Sequence, residues 1–316
     1  MKLTNNIIIS LGDEMSGGNC NEAGTSRCAS CGVAENDEVK LKKCNGCFLV
    51  KYCGVKCQKA HRPNHKRDCK KRAAELRDEL LFKQPESSHH GDCPICCLPL
   101  PLDAMKSGMH LCCSQVICNG CNYANQMREL KERLRPSCPF CREPVPATKE
   151  EAEKQNMRRV EANDPSALSH EGGEQQSKGD YTRAFEYYAK AAELGDVNAH
   201  YMLSLMYIEG KGLEKDEEKE IYHLEEAAIG GHPGARYTLG SVEGRKGNAE
   251  RAMKHFIIAA TQGYDVSMKE LTYAFKLGHV SKNDLAATLR AHQAAVDATK
   301  SPQREAAEKS LPNSRK

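Results

Sequence analysis

Cys44-Asn45-Gly46-Cys47-Phe48-Leu49-Val50-Lys51-Tyr52-Cys53-Gly54-Val55-Lys56-Cys57 decides how the first third of this 316-residue chain folds. Two cysteine pairs, Cys44-x2-Cys47 and Cys53-x3-Cys57, fall within it. Moving outward, Cys28-x2-Cys31 precedes the stretch and His65-x3-Cys69 follows it, which makes eight metal donors. Eight donors suffice for two tetrahedral zinc sites, because a Cys-x2-Cys turn presents two thiolates to one ion and zinc has no ligand-field preference opposing closure. Large apolar residues in 28–69 are few, chiefly Leu41, Phe48, Leu49 and Tyr52. A core that small cannot offset the ordering entropy of about 40 residues. Structural zinc contributes roughly 10–16 kcal/mol per site in comparable peptides, so metal binding here is folding.

All 17 cysteines lie between Cys20 and Cys141, and residues 142–316 contain none. Two different kinds of protein are therefore joined near residue 142. Composition divides the chain further: a polar, flexible tail (1–27), the first Cys-rich block (28–69), a helix and linker (70–92), a second Cys-rich block (93–142), a connecting helix (143–163), a repetitive region (164–299) and a polar, frayed tail (300–316). Leu76, Leu80 and Leu81 predict an amphipathic helix around Lys71–Phe82. Gln84-Pro85-Glu86-Ser87-Ser88-His89-His90-Gly91 reads as a solvated linker. Cys20 reads as a free thiol, His61 as a surface residue and Cys97 as a spare thiol.

No apolar run is long enough for a transmembrane helix, and Ile7-Ile8-Ile9, followed by Asp13 and Glu14, is too short for a signal-peptide core. The expectation is a reducing compartment, cytoplasmic or nuclear, where disulfides do not persist. An odd cysteine count also fits a disulfide framework poorly. The net charge is +3 with thiols neutral. Fifteen thiolates on four divalent ions would remove seven charges and leave about −4, no basis for a dedicated nucleic-acid binder. Residues 40–83 hold 14 Lys or Arg against 4 Asp or Glu, a stretch that solvates a small domain and balances its thiolates.

The run Cys44-x2-Cys47…Tyr52-Cys53-x3-Cys57-Gln58…His65-x3-Cys69 resembles the MYND zinc finger. The resemblance implies interleaved sites, with Cys28, Cys31, Cys53 and Cys57 on one ion and Cys44, Cys47, His65 and Cys69 on the other. It also implies capture of short proline-containing peptides through a Gln and a nearby Trp. Gln58 matches the first, but Arg62 stands at the Trp position.

The second block holds Cys93-x2-Cys96, Cys112-Cys113, Cys118-x2-Cys121 and Cys138-x2-Cys141. It resembles an all-cysteine RING finger, which implies Cys93, Cys96, Cys118 and Cys121 on one ion and Cys112, Cys113, Cys138 and Cys141 on another. Adjacent ligands are unusual in that family, so His110 is an alternative to Cys112. Thiolate, the softer donor, favours Cys112. Four saturating ligands leave no position for water or substrate, so such ions are structural, not hydrolytic. The resemblance implies a docking groove for a ubiquitin-conjugating enzyme at Ile95 and Pro139, with Arg142 bridging enzyme and ubiquitin.

The third region repeats. Asp180…Ala191-Ala192…Gly195, Asp216…Ala227-Ala228…Gly231 and Asn248…Ala259-Ala260…Gly263 share three landmarks at offsets of 36 and then 32 residues. The Asp and Asn sit at N-cap positions, the Ala pairs allow close helix approach, and the Gly residues stop the helices. Ala199, Ala235 and Ser267 begin the next helices, with Leu203, Leu239 and Leu271 a turn further. Fainter units at Asp164-Pro165 and Asn283 make about four helix pairs. Tyr187, Tyr188, Tyr207 and Phe256 read as packing between helices. Tyr201-Met202-Leu203…Gly210-Lys211-Gly212 resembles the Sel-like subclass of tetratricopeptide repeats, which implies a solenoid with a concave face for another protein.

The fold expected is thus two small zinc-stabilised cross-brace domains followed by an all-α helical-repeat solenoid, holding four structural Zn2+ ions. The function expected is a protein-interaction adaptor, with RING-type ubiquitin–protein ligase activity as its enzymatic form. There a conjugating enzyme would dock on the second finger and a substrate or client on the repeats. The alternative is a purely non-catalytic scaffold or a transcriptional co-regulator.

Overall fold

The computed structural model describes residues 26–310, so Cys20 lies outside the described residues. Two compact units part between Arg77 and Asp78.

In the first unit, β1 (Lys42–Lys43) pairs antiparallel with β2 (Lys51–Tyr52), and α1 (Val55–Leu81) follows directly. The apolar pattern of Leu76, Leu80 and Leu81 predicts this helix only from about Lys71. It begins sixteen residues sooner and carries Pro63 inside it. Cys57, His65 and Cys69 lie on α1, and the four-residue step from His65 to Cys69 puts both on one helical face. The core is a knot of Cys28, Leu41, Cys44, Cys47 and Tyr52.

The second unit opens with the last turn of α1, whose Leu81 is buried among Leu224, Ala227, Ala228, Ala235 and Leu239. Arg236, fully buried, donates to the carbonyls of Leu81 and Lys83, placing a cation at a helix C-terminus. The segment after it is not a solvated linker. Thr261 Oγ1 donates to Gln84 Oε1 at 3.0 Å, and His89 N donates to Gly231 O at 3.3 Å. His89 lies between His90 and His232 as tilted ring pairs with centroids at 3.9 and 4.1 Å, and His232 stacks on Tyr201 at 4.2 Å. Polar composition suggested solvent, but flat rings and backbone groups find partners on the repeats.

The second Cys-rich block contains a hairpin, β3 (Ser107–His110) with β4 (Gln115–Cys118), and α2 (Asn119–Glu132). Then α3 (Lys149–Glu161) starts at Thr148, whose Oγ1 accepts from Glu151 N while the Glu151 carboxylate accepts from Ala147 N.

Four helix pairs follow: α4 (Pro165–Ser177) with α5 (Tyr181–Glu193), α6 (Val197–Glu209) with α7 (Glu217–Ile229), α8 (Pro233–Arg245) with α9 (Ala249–Thr261), and α10 (Asp265–Lys276) with α11 (Lys282–Ala298). Asp180 and Asp216 cap α5 and α7 through their side chains, whereas Asn248 instead donates to Glu243. The Ala pairs are buried, and Gly195, Gly231 and Gly263 take φ of 89°, 86° and 90°, a region closed to most side chains. Tyr188, Tyr207 and Phe256 are buried between helices and Tyr187 is partly so. After Lys300 the expected frayed tail is instead a helix, α12 (Pro302–Ser310), packed against α2. No helix among the described residues is long and apolar enough to cross a membrane.

Candidate metal centres

Four Cys-x2-Cys pairs, those starting at Cys28, Cys44, Cys93 and Cys138, sit on the same backbone device. Gly32 N, Phe48 N, Cys97 N and Arg142 N donate to the carbonyls of Cys28, Cys44, Cys93 and Cys138 respectively. These four donors, each immediately after the second cysteine, have φ of 75°, 56°, 54° and 65°. The left-handed residue turns the chain so that both thiols point to one centre, a conformation that costs a non-Gly residue about 1–3 kcal/mol. Antiparallel bridges Arg27↔Ala34, Asp92↔Pro99 and Ser137↔Pro144 close three of the turns identically. Cys97 is therefore the turning residue of its knuckle, a role invisible in its identity as an extra thiol.

The knuckles bring together four groups whose donor atoms all lie within 4.8 Å of one another: Cys28, Cys31, Cys53 and Cys57; Cys44, Cys47, His65 and Cys69; Cys93, Cys96, Cys118 and Cys121; Cys112, Cys113, Cys138 and Cys141. In sequence the groups interleave pairwise. Sγ–Sγ separations are 3.6 Å for Cys31–Cys53, 3.8 Å for Cys44–Cys69, 3.8 Å for Cys96–Cys118 and 3.9 Å for Cys113–Cys138. A tetrahedron with Zn–S bonds of about 2.3 Å has edges of about 3.8 Å, so the donor spacing fits zinc. A disulfide needs about 2.05 Å, and the described cysteines are all unpaired.

The protonation pattern agrees. Burial raises the Cys28 thiol, but N–H groups of Cys31, Cys53 and Ser30 outweigh it and bring it down to about 6. Neighbouring sulfurs Cys57, Cys31 and Cys28 push Cys53 up to about 12. In the third group burial raises Cys93, yet the N–H groups of Cys118, Cys96 and Ile95 bring it down to about 7, while burial and the nearby Cys118 drive Cys121 well up. Four thiols this close ionise together only around a cation. The four Cys/His clusters can each bind zinc, and saturating protein donors make such ions structural.

Several residues support the donor groups without belonging to them. His61 is half-buried; Tyr52 Oη bonds its Nδ1 at 3.0 Å, and its ring stacks on the ligand-group residue His65 at 5.7 Å. It is a packing partner of His65 rather than a free surface residue. His110 Nε2 bonds Asn122 Oδ1 at 2.9 Å and stands apart from the gathered donors. Asn125 and Glu129, one turn apart on α2, hold the last knuckle. Glu129 accepts from Ser137 N and Oγ at 3.0 and 2.7 Å, and Asn125 Oδ1 accepts from Arg142 at 3.1 Å. The serine bonds lower the Glu129 carboxyl below its usual range. Helical i,i+4 spacing was the one available clue to this pair.

Of the residues expected to contact a partner, Ile95 is 41% exposed and Arg142 is exposed, but Pro139 is buried. Apolar surface at the last cysteine pair comes instead from Phe140, 47% exposed. In the first finger a cavity of about 260 Å³ is bounded by Tyr52, Gln58, Arg62, Lys66 and Lys70, beside Cys44 and Cys69.

Residues 19–69 match the MYND finger, and residues 167–196, 197–232 and 234–264 match the Sel1 repeat. A curated relative is Chitin synthase regulatory factor 4 of Schizosaccharomyces pombe, 29% identical over 86 residues, which is 27% of this chain and 14% of that protein. This chain thus spans about a seventh of that relative's length. A Sel1 repeat protein of known structure from Oxalobacter formigenes is 28% identical over 49% of this chain and 66% of its own, with a TM-score of 0.43. The Escherichia coli protective antigen c5321, which displays an SLR fold, is 19% identical over 63% of this chain and 42% of its own, with a TM-score of 0.39. The chain carries a MYND finger followed by an array of Sel1 repeats.

Proposed function

We propose that this chain is a zinc-organised protein-interaction adaptor, working in a cytoplasmic or nuclear setting. Four donor groups of four residues each carry the proposal, because saturated sites shape docking surfaces and leave no position for a reacting molecule. The ligand sets proposed are the four groups as gathered, with Cys112 rather than His110 in the last. The repeat array, like other solenoids, offers an extended face to a client. The likeness to a regulatory factor supports a role in controlling another protein without naming that protein for this chain. In the first finger, the Gln58 cavity with Arg62, Lys66 and Lys70 at its edge suits a short peptide bearing an apolar anchor and acidic neighbours. Affinity capture with the full chain, with and without chelator, tests the adaptor. Finger-bound partners should be lost on chelation and array-bound partners retained, and no partner above background in either condition would overturn it.

Residues 93–142 support a narrower assignment, a RING-type finger that recruits a ubiquitin-conjugating enzyme. Its support is the ligand order and the exposed Ile95 between the first two ligands. Such a finger contributes proximity and orientation, with no covalent catalytic residue of its own. Self-ubiquitination across a panel of conjugating enzymes, lost in Ile95→Ala with zinc content unchanged, is the expected result. No product from any member of the panel would leave the chain a non-catalytic scaffold.

A further inference from the structure

The C-terminal helix α12 enters the second Cys-rich block by one side chain. Arg304 is only 6% exposed. Its Nη1 donates to the carbonyl of Pro99 at 2.7 Å and to that of Thr299 at 2.8 Å, and its Nη2 donates to the carbonyl of Leu98 at 3.1 Å. Nη2 also lies 3.4 Å from Cys96 Sγ. Three of these four acceptors belong to one short stretch, the knuckle that carries Cys96. The helix is seated closely: a Cβ at Gly120 would fall 2.8–3.0 Å from Arg304 Cγ, N and Cα, so only glycine fits at this crossing. Gln303 Nε2 donates to Gly120 O at 3.1 Å, Ala307 is buried, and Lys106 pairs with Glu308 at 2.7 Å.

We infer that Arg304 is a positioning residue of the Cys93/Cys96/Cys118/Cys121 metal site, so that retention of this ion depends on docking of the C-terminal helix. This rests on the zinc assignment proposed above. Four thiolates around one divalent ion leave a net charge of −2, and a guanidinium that stays protonated at all working pH values sits against one of them. The N–H···S contact fixes where the Cys96 sulfur points within its donor group. Fixing the Leu98 and Pro99 carbonyls holds the left-handed turn at Cys97 that aims Cys93 and Cys96 at one point. Partners of this kind, outside the ligands themselves, commonly change metal affinity about 10–100-fold when removed. Lysine keeps the charge but not the planar fork, so it cannot reach four acceptors at once.

The test uses the full chain loaded with cadmium and read by cadmium NMR, alongside timed release of zinc to a chelator. The unaltered chain should give four resonances. Arg304→Ala should displace one resonance from an all-sulfur site, leave three in place, and speed loss of one of the four zinc ions at least about tenfold. Arg304→Lys should move the same resonance with a smaller gain in rate. Glu308→Ala, which removes only the outer ion pair, should leave all four resonances in place. If Arg304→Ala disperses every resonance because the block unfolds, Arg304→Lys decides: one displaced resonance supports the role, and none overturns it. Fewer than four resonances in the unaltered chain would overturn the zinc assignment. Four resonances, none displaced by Arg304→Ala, would overturn the role of Arg304 alone.

Discussion

Two glycines on α8 should respond to the same substitution with opposite signs. At Gly240 an added Cβ would lie 2.6, 2.8 and 3.0 Å from Phe256 Cε1, Cδ1 and Cζ. Phe256 is buried on α9, so its ring has little room to withdraw. At Gly244, one turn along, the added Cβ would meet Ala252 Cβ at 3.8 Å, ordinary van der Waals contact. Helix propensity favours Ala over Gly by about 1 kcal/mol at both positions. Overpacking a well-filled site costs roughly 1–3 kcal/mol, and that applies only at Gly240. Gly244→Ala should therefore stabilise by about 0.5–1 kcal/mol, while Gly240→Ala should destabilise by up to about 2 kcal/mol. At about 2–4 °C per kcal/mol for a unit of this size, the two variants should straddle the parent by several degrees. Thermal unfolding followed by far-ultraviolet circular dichroism reads the difference. Phe256→Leu combined with Gly240→Ala should recover part of the loss, a coupling expected only of residues in contact. If Gly240→Ala stabilises as much as Gly244→Ala, the helices of this pair do not approach as described, and the array's packing is wrong.

Other outcomes follow from the same geometry. His65→Ala should release both ions of the first finger, because interleaved ligand groups tie the two sites to one chain path; loss of a single ion with the second cluster intact would contradict this. Burial lowers His232 to about 3, with His90 adding to it, and lowers His255 to about 4, with Arg236 and Arg251 adding to it, against 6.5 when unfolded. Depressed folded values mean that the unfolded chain binds more protons, so stability is full above about pH 6.5 and falls as pH drops towards 4. The loss is about 2 kcal/mol per histidine at pH 5. His255→Leu should flatten the fall in urea midpoint between pH 7.5 and 5, and an unchanged slope would contradict the burial argument. Cys97→Gly should keep or raise zinc retention by relieving the left-handed turn, whereas Cys97→Val should weaken it; equal behaviour would show that the turn carries no strain.

Much of this was legible in the residues. The four donor groups could be named from Cys-x2-Cys spacing and family alternation because zinc ligation is a local, combinatorial constraint. Repeat offsets exposed the helix pairs because each unit reuses the same N-cap, Ala pair and terminal glycine. What stayed hidden depended on distant partners. Arg304 lies in a stretch polar enough to read as a tail, and nothing local reveals that Gly120 leaves room for its backbone. His89 looked solvated because its ring partner His232, itself stacked on Tyr201, stands more than a hundred residues away in the repeats. The early start of α1 stayed hidden because the apolar pattern begins only at Leu76, whereas the preceding turns carry Cys57, His65 and Cys69 as members of donor groups. The turning role of Cys97 needs a backbone angle, which its neighbours in sequence do not disclose.

The metal content of the purified full chain tests the central claim most directly. Elemental analysis should return four zinc ions per chain, all removed by chelation together with the ordered structure of residues 28–141. Two ions or fewer, or a Cys-rich half that stays folded after the metal is stripped, would contradict the account.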